Sequence, residues 1–273
     1  MTRAALIGAT GRMGTAIVRA GVADPLLTGK LAIVAAVASA GSKSAGRDVG
    51  EVAGVPPLGV RVLEDLPPDL AGAQVVIDFS RPDLSLRALN ICRAARVPIV
   101  IGTTGHGPEF EARVAAAARD IAVLVAPNTS IGVAVAQELV RIAAQALPAS
   151  FDIEIVEAHH KHKLDAPSGT ALALADSAAK ARGLDLNADT LTGRSGQGGR
   201  RDGEIGIASV RAGDIVGTHT VWFVGSGERV TVTHEATDRS IFARGAIRAA
   251  AWLVSQNPGR YSMSNILGLK TTS

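Results

Sequence analysis

Between Glu157 and Thr170 the chain reads EAHHKHKLDAPSGT: three histidines and two lysines, then a Pro-Ser-Gly-Thr step. Histidine exchanges a proton near neutral pH, and lysine can hold or protonate an anion. The Ser168-Gly169-Thr170 step opens an apolar helical pattern over Thr170–Arg182, so its backbone N–H groups stand at a helix start and attract anions. Acid groups beside an anion cradle describe a small-molecule active site. A shared metal is not the expected use of His159, His160 and His162. Adjacent histidines on an extended segment point to opposite faces, and zinc sites draw on wider spacings or an i,i+4 helical pair. His162 reads as a solvated side chain.

A second set of residues suits a nucleotide. Gly8-Ala9-Thr10-Gly11-Arg12-Met13-Gly14 follows the short apolar run Ala4–Gly8 and precedes a helical pattern over Thr15–Val22. Strand, glycine-rich turn and helix together let a backbone approach a pyrophosphate at a helix N-terminus, although the middle glycine is one residue later than in the commonest spacing. Gly102-Thr103-Thr104-Gly105-His106 and Ala126-Pro127-Asn128-Thr129 each follow a buried apolar run, as does Asp78-Phe79-Ser80. At the carboxyl ends of parallel strands such groups face a ligand; singly, each is also an ordinary turn. An acid usually follows the second strand to bond the adenosine ribose. Here Val37-Ala38-Ser39-Ala40-Gly41-Ser42-Lys43 carries none, and with Ser39, Ser42, Lys43 and Arg47 nearby this leaves room for the extra phosphate of NADP.

These side chains need a scaffold, and the rest of the sequence provides one. Strand patterns at Leu31–Ala38, Gln74–Phe79, Val97–Ile101 and Ile121–Ala126 alternate with helical patterns at Leu84–Arg96 and Glu109–Arg119. Short Val- and Ile-rich runs of this kind are buried on both faces, which predicts a doubly wound, Rossmann-type parallel sheet. With 47% hydrophobic but only 3% aromatic residues, and 30 glycines, the core must be built from Ala, Val, Ile and Leu, as in α/β proteins. After Asn128 the rhythm changes. A longer helix, Gly132–Leu147, precedes an alternating strand, Phe151–Glu157, and the Thr170–Arg182 helix is stopped by Gly183. Ile205–Arg211, Gly217–Val224 and Glu228–Ala236 then alternate as a strand meander, and Ile241–Val254 is a last amphipathic helix. The fold class is therefore α/β, with a second α+β domain holding a mostly antiparallel or mixed sheet. The boundaries are 1–129 plus 241–273 for a dinucleotide-binding domain and 130–240 for a substrate-binding and oligomerisation domain. The Gly-rich stretch 193–203, with its paired arginines, is the candidate lid.

Several function classes are excluded. Twenty-eight basic against 25 acidic residues give a net charge of +3 with no basic cluster interleaved with aromatics, so nucleic acid is not an expected partner. Apolar runs are too short for a bilayer, and the N-terminus lacks the three-part pattern of a signal peptide. A soluble, cytoplasmic protein is the expectation. The single cysteine, Cys92, rules out an intrachain disulfide and reads as a buried structural thiol in a helix.

Taken with these motifs, the chain resembles the 4-hydroxy-tetrahydrodipicolinate reductases (dihydrodipicolinate reductases) over essentially its whole length. The resemblance rests on GATGRMG at Gly8–Gly14, Asp78-Phe79-Ser80, Gly102–Gly105, Glu157–Thr170, SVRAGDIVG at Ser209–Gly217, His219–Phe223 and Phe242–Ala246. It implies NAD(P)H-dependent reduction of a cyclic dicarboxylate in diaminopimelate and lysine biosynthesis, by a homotetramer whose C-terminal helix completes the first domain. It implies acid chemistry at His159 and Lys163, and substrate carboxylates on His160, Lys163, Gly169 and Thr170. It further implies NADPH and/or NADH on Gly8, Ala9, Thr10, Gly11, Arg12, Met13, Gly102, Thr103, Thr104, Ala126, Pro127, Asn128 and Thr129; Ser39, from the reading of the loop itself, is expected at the adenosine end. Ala38-Ser39 stands where the family often has Glu-Arg, so cofactor preference does not carry over. Two alternatives are another two-domain dehydrogenase and a nucleotide-binding sensor that has lost its chemistry. An aspartate semialdehyde enzyme needs a nucleophilic cysteine, which Cys92 is poorly placed to be.

Overall fold

A computed structural model of the chain describes residues 1–268. It divides into two compact units, Met1–Ile131 together with the chain from Ser240 onward, and Gly132–Arg239. The expected first-domain segment 241–273 ends in residues 269–273, which lie outside the described residues.

The first unit runs β1 (Thr2–Ile7), α1 (Arg12–Ala23), β2 (Leu31–Val37), α2 (Val49–Ala53), β3 (Val62–Leu63), β4 (Val75–Asp78), α3 (Pro82–Ala95), β5 (Ile99–Ile101), α4 (Glu109–Ala117) and β6 (Ala122–Val125). The second runs α5 (Ile131–Ala146), β7 (Asp152–His159), α6 (Gly169–Arg182), α7 (Leu186–Asp189), β8 (Thr190–Thr192), β9 (Ile205–Arg211), β10 (Gly217–Val224) and β11 (Arg229–Ala236). The chain then returns to the first unit with α8 (Ser240–Leu253), β12 (Gly259–Tyr261) and α9 (Met263–Ile266).

The first sheet is parallel throughout, in the order β12-β6-β5-β4-β1-β2-β3. Val75, Val76, Ile77, Ile99, Val100 and Ile101 are fully buried, as runs without alternation require in a sheet covered on both faces. Each such side chain contributes roughly 1.5–3 kcal/mol of burial. Helix α8 packs against α1 and against β4, β5 and β6, so the C-terminal segment is part of this core. A Cβ at Gly245 would collide with the Thr129 carbonyl, and the Thr129 hydroxyl donates to the Phe242 carbonyl at 2.7 Å, which fixes α8 on the chain after β6. Cys92 is buried, and burial, with Asp78 nearby, pushes its thiol up, as a structural role predicts.

The second sheet has the order β11-β10-β7-β9-β8 and is mixed. Its core face carries Ile153, Ile155, Ile207, Val221 and Phe223, packed on Val140 of α5 and on Ala171, Leu174, Ala175 and Ala178 of α6. The meander expected over β9, β10 and β11 is corrected here. Only β10 and β11 form a hairpin; β9 and β10 flank β7, the one parallel and the other antiparallel to it. Proximity in sequence suggested direct pairing, but β7 buries one complete face and takes the central position. The short α2, β3, α7, β8, β12 and α9 carry too few residues for a periodic signal. In the stretch 193–203, Arg194 and Arg200 pair with Glu154, and Arg201 pairs with Glu204 at 3.1 Å.

Candidate active site

The registers of β7 assemble the site of the second unit. Glu157 lies opposite Ser209 of β9 and His219 of β10, and His159 lies opposite Arg211. The connection from β9 to β10 passes across the end of β7, where the Ala212 N–H donates to the His159 carbonyl at 2.9 Å and the Lys161 N–H donates to Gly213 at 3.2 Å. Three adjacent strands thereby place side chains around one buried carboxylate.

Glu157 is fully buried. Arg211 reaches it with two arms, at 2.7 and 2.8 Å, and the His159 Nδ1 lies 2.6 Å from its Oε2. The Ser168 N–H donates to its Oε1 at 3.2 Å. Burial alone would raise this carboxyl, but the Arg211 guanidinium, Ser209 and His159 outweigh burial and hold it at about 2. An ionised Glu157 fixes the Nδ1–H tautomer of His159, leaving Nε2 as the atom that can hold or give a proton. Gly217 keeps that atom accessible: a Cβ there would stand 3.0 Å from Nε2.

His219, unassigned by its sequence context, stands edge-on to His159 with ring centroids 5.0 Å apart. Its Nε2 is 2.9 Å from the Ser168 hydroxyl, which accepts the Ala171 N–H at 3.1 Å and so caps α6. Burial, and then the charge of His159, push His219 down to about 4, so it is neutral at pH 7. Ser168 and His219 thus set the position of the α6 N-terminus. Gly169 there is exposed, with nothing within 4 Å of where a Cβ would project, and no acidic residue occupies the first turn. An anion can approach the helix start directly.

Lys163 and His160 lie on the turn after β7, closed by the Lys163 N–H on the His160 carbonyl at 3.1 Å. The Lys163 ammonium pairs with both Asp165 oxygens at 2.9 Å. His160 lines an open cavity of about 610 Å³ together with Lys161, His162, Gly213, Asp214 and Arg239. Burial, then the Arg239 charge, push His160 down, and its Nδ1 has no partner among the described residues. His162 is exposed on the wall of the same cavity, and among the described residues no group of three His, Cys, Asp or Glu side chains is arranged to hold a metal.

In the first unit the paired strand ends form one row. Ile7 pairs with Val37 and with Asp78, Asp78 with Ile101, and Ile101 with Val125. The residues just beyond are therefore Ala38, Gly8, Phe79, Gly102 and Ala126, along the carboxyl edge where open α/β sheets bind ligands. Gly8 has φ +76°, and a Cβ on it would strike the Phe79 carbonyl. A Cβ on Gly14 would strike the Gly8 carbonyl and stand 2.6 Å from the Ala9 Cα, so α1 starts directly against the turn. No side chain caps α1 and no acid sits in its first turn, which leaves its N–H groups to an external anion. Backbone approach of this kind fits a dinucleotide.

Family models for the N-terminal and C-terminal parts of dihydrodipicolinate reductase match residues 2–129 and 132–267. The chain belongs to the dihydrodipicolinate reductase family. It is 52% identical to the 4-hydroxy-tetrahydrodipicolinate reductase of Anaeromyxobacter dehalogenans strain 2CP-1, over 99% of both chains. It is 47% identical to the enzyme of that name from Methylococcus capsulatus, over 98% of both chains. Among solved structures, the dipicolinate-bound dihydrodipicolinate reductase from Paenisporosarcina sp. TG-14 superposes with a TM-score of 0.73, at 26% identity, over 97% of this chain and 99% of that one.

Within this family framework the expected residues differ in what they offer. Gly11 and Arg12 are exposed at the start of α1, with Gly8, Thr10 and Met13 half-buried; Ala9 is buried and presents only backbone. Thr104 is exposed, whereas Thr103 is buried, donates to Asp78 at 3.0 Å and accepts the Ser80 N–H at 2.8 Å. Asp78 is a buried brace, raised by its burial despite the hydroxyls of Ser80, Ser85 and Thr103, and it holds the turn after β5. Thr129 is likewise committed to α8, and Asn128 accepts the Ser130 N–H at 2.9 Å, so from Ala126 to Thr129 the exposed contact is Pro127. Ser39 is exposed just past β2. The partners that sequence reasoning left without a role are Glu157, Arg211, Gly217, His219 and Arg239.

Proposed function

We propose that this chain is a 4-hydroxy-tetrahydrodipicolinate reductase acting with NAD(P)H in the diaminopimelate route to lysine, as its relatives' names indicate. The observation that carries the mechanism is His159, held at Nδ1 by Glu157 with Nε2 left open beside Gly217. The turn at Gly8–Met13, the backbone of Gly102–Thr104 and Ala126–Thr129, and Ser39 would hold the dinucleotide, and a reduced nicotinamide bound there supplies the hydride. Gly169 and Thr170 at the α6 N-terminus would take one substrate carboxylate, and Lys163 and His160 another. To do so, Lys163 exchanges Asp165 for the substrate. As the ring gains negative charge, protonated His159 gives the proton from Nε2, and Glu157, kept anionic by Arg211, stabilises the imidazolium until then. A positioned donor of this kind is worth roughly 10²–10⁴-fold in rate.

The second unit is the surface of self-association in this reading, as a homotetramer. The face of its sheet turned away from α5 and α6 presents Val156, Ala158, Val210, Thr220 and Trp222, none of them buried. Sedimentation should give four copies. A cytoplasmic location belongs to the same reading; no helix of the described residues is long and apolar enough to cross a membrane. The activity is tested by giving the purified protein the synthase product with NADH or NADPH; cofactor oxidation is the expected result, and its absence with both cofactors refutes the assignment.

A further inference from the structure

From Ala38 to Arg47 the loop after β2 carries no acid in sequence, yet the fold brings one to it. β3 pairs in parallel with β2, Val37 against Leu63, so Glu64 extends the row of strand ends that holds Gly8, Gly102 and Ala126. The Ala38 N–H donates to the Leu63 carbonyl at 2.9 Å, and the Gly41 N–H donates to the Glu64 Oε1 at 2.6 Å. A carboxylate is therefore tied to the β2–α2 loop by its backbone, on the side of β1 where doubly wound sheets place the adenosine half of a dinucleotide. Its neighbour Asp65 is already paired with Arg87 at 2.8 Å, and Asp48 is consumed by backbone N–H groups at the start of α2. Arg61 donates to the Gly46 carbonyl at 3.2 Å. Lys43 and Arg47, the cations of the loop, are both exposed and come four and eight positions after Ser39, while Ala38-Ser39-Ala40 directly beyond the strand is uncharged.

We infer that Glu64 supplies from β3 the acid missing after β2, facing the adenosine ribose and opposing a 2′-phosphate, so that this chain prefers NADH to NADPH. The inference rests on the proposed cofactor site and names the residue that sets its specificity. All three side chains are exposed and screened by salt, but the Glu64 carboxylate is held by the Gly41 N–H at the strand end itself, whereas Lys43 and Arg47 lie further along the loop.

The test is calorimetric titration of NADH and NADPH into the native protein, Glu64→Gln, and Lys43→Ala/Arg47→Ala. Glutamine retains an acceptor oxygen for the Gly41 N–H, so the loop stays held and only the charge is removed. The native protein should bind NADH more tightly, and Glu64→Gln should narrow that ratio about tenfold by strengthening NADPH binding, the size of one partly screened charge interaction. An unchanged ratio in Glu64→Gln overturns the inference while leaving the cofactor site intact. So does a native preference for NADPH that is lost in Lys43→Ala/Arg47→Ala. Failure of both nucleotides to bind the native protein overturns it together with the cofactor site itself.

Discussion

Replacing Glu157 by glutamine preserves the shape of the side chain and removes its charge. The native carboxylate faces only donors: two arms of Arg211 at 2.7 and 2.8 Å, His159 at 2.6 Å, the Ser168 N–H at 3.2 Å and the Ser209 side chain. An amide has one acceptor oxygen and two N–H groups, so Arg211 or His159 must then meet a donor. Removing one partner of a buried pair costs about 3–5 kcal/mol, and the low end applies here. The reason is that the Arg211 side chain is 19% exposed and keeps its bonds to the carbonyls of Val210 and Asp165. The kinetic effect is separate. A charge pair near 4 Å is worth about 4 kcal/mol at an effective dielectric of about 20, and part of that support for imidazolium is recovered by water. A fall in kcat of about 10²-fold is expected, within the range that general acids supply. Steady-state rates at saturating cofactor, nucleotide titration and circular dichroism would be measured on the same preparation. Cofactor affinity should stay unchanged. A folded variant whose kcat is within about threefold of native would refute the role given to Glu157, because transition-state support would then not pass through it.

Three further outcomes are expected. Gly217→Ala, which sets a methyl group 3.0 Å from His159 Nε2, should lower kcat about tenfold through misplacement of the donor and leave nucleotide affinity intact; equal loss of both would point to general misfolding. Gly8→Ala, forced to φ +76° against the Phe79 carbonyl, should cost about 1–3 kcal/mol of stability and weaken nucleotide binding, and unaltered titration curves would contradict the cradle. His219, lowered from 6.5 to about 4, binds its proton more readily when unfolded, so stability should fall by about 3 kcal/mol as pH drops through that window. His219→Gln should flatten urea-unfolding stability between pH 6.5 and 4, and an identical slope in both proteins would rule the residue out as its source.

How much of this was legible in sequence depends on the range of each contact. The first sheet declared itself because β5 and β6 are unbroken apolar runs and β4 is one up to its last residue, Asp78, and Ser168 and Gly183 mark the ends of α6 by local chemistry. His159 and Lys163 stand in one short motif. Their partners do not. Arg211 lies 54 residues from Glu157, and its meeting with that carboxylate depends on β9 pairing with β7 rather than with β10. Glu64 lies 23 residues beyond Gly41 and reaches it only because the two-residue strand β3, too short to give a periodic signal, aligns beside β2. The solvated reading of His162 holds for its exposure, but its place on the cavity wall follows from the turn after β7, which no spacing announces.

The passage of the β9–β10 connection across β7 also restricts how this protein can vary. Residues 212–216 span a fixed distance between two strands whose registers are each set by β7. Lengthening them by one residue, with β10 slipping in register to absorb the change, would bring Thr218 to the place of His219 and turn the outward face of β10, Thr218, Thr220 and Trp222, inward. The loop after β2 is tied to β3 as well, by the Gly41 N–H on Glu64 and by the bonds of Gly46 and Arg47 with Val62, but its middle, Ser42–Ala45, leads into no strand whose register sets the acid site. Among descendants of this chain, changes of length should therefore gather at Ser42–Ala45 and be absent from 212–216, where a single insertion takes His219 and Gly217 away from His159.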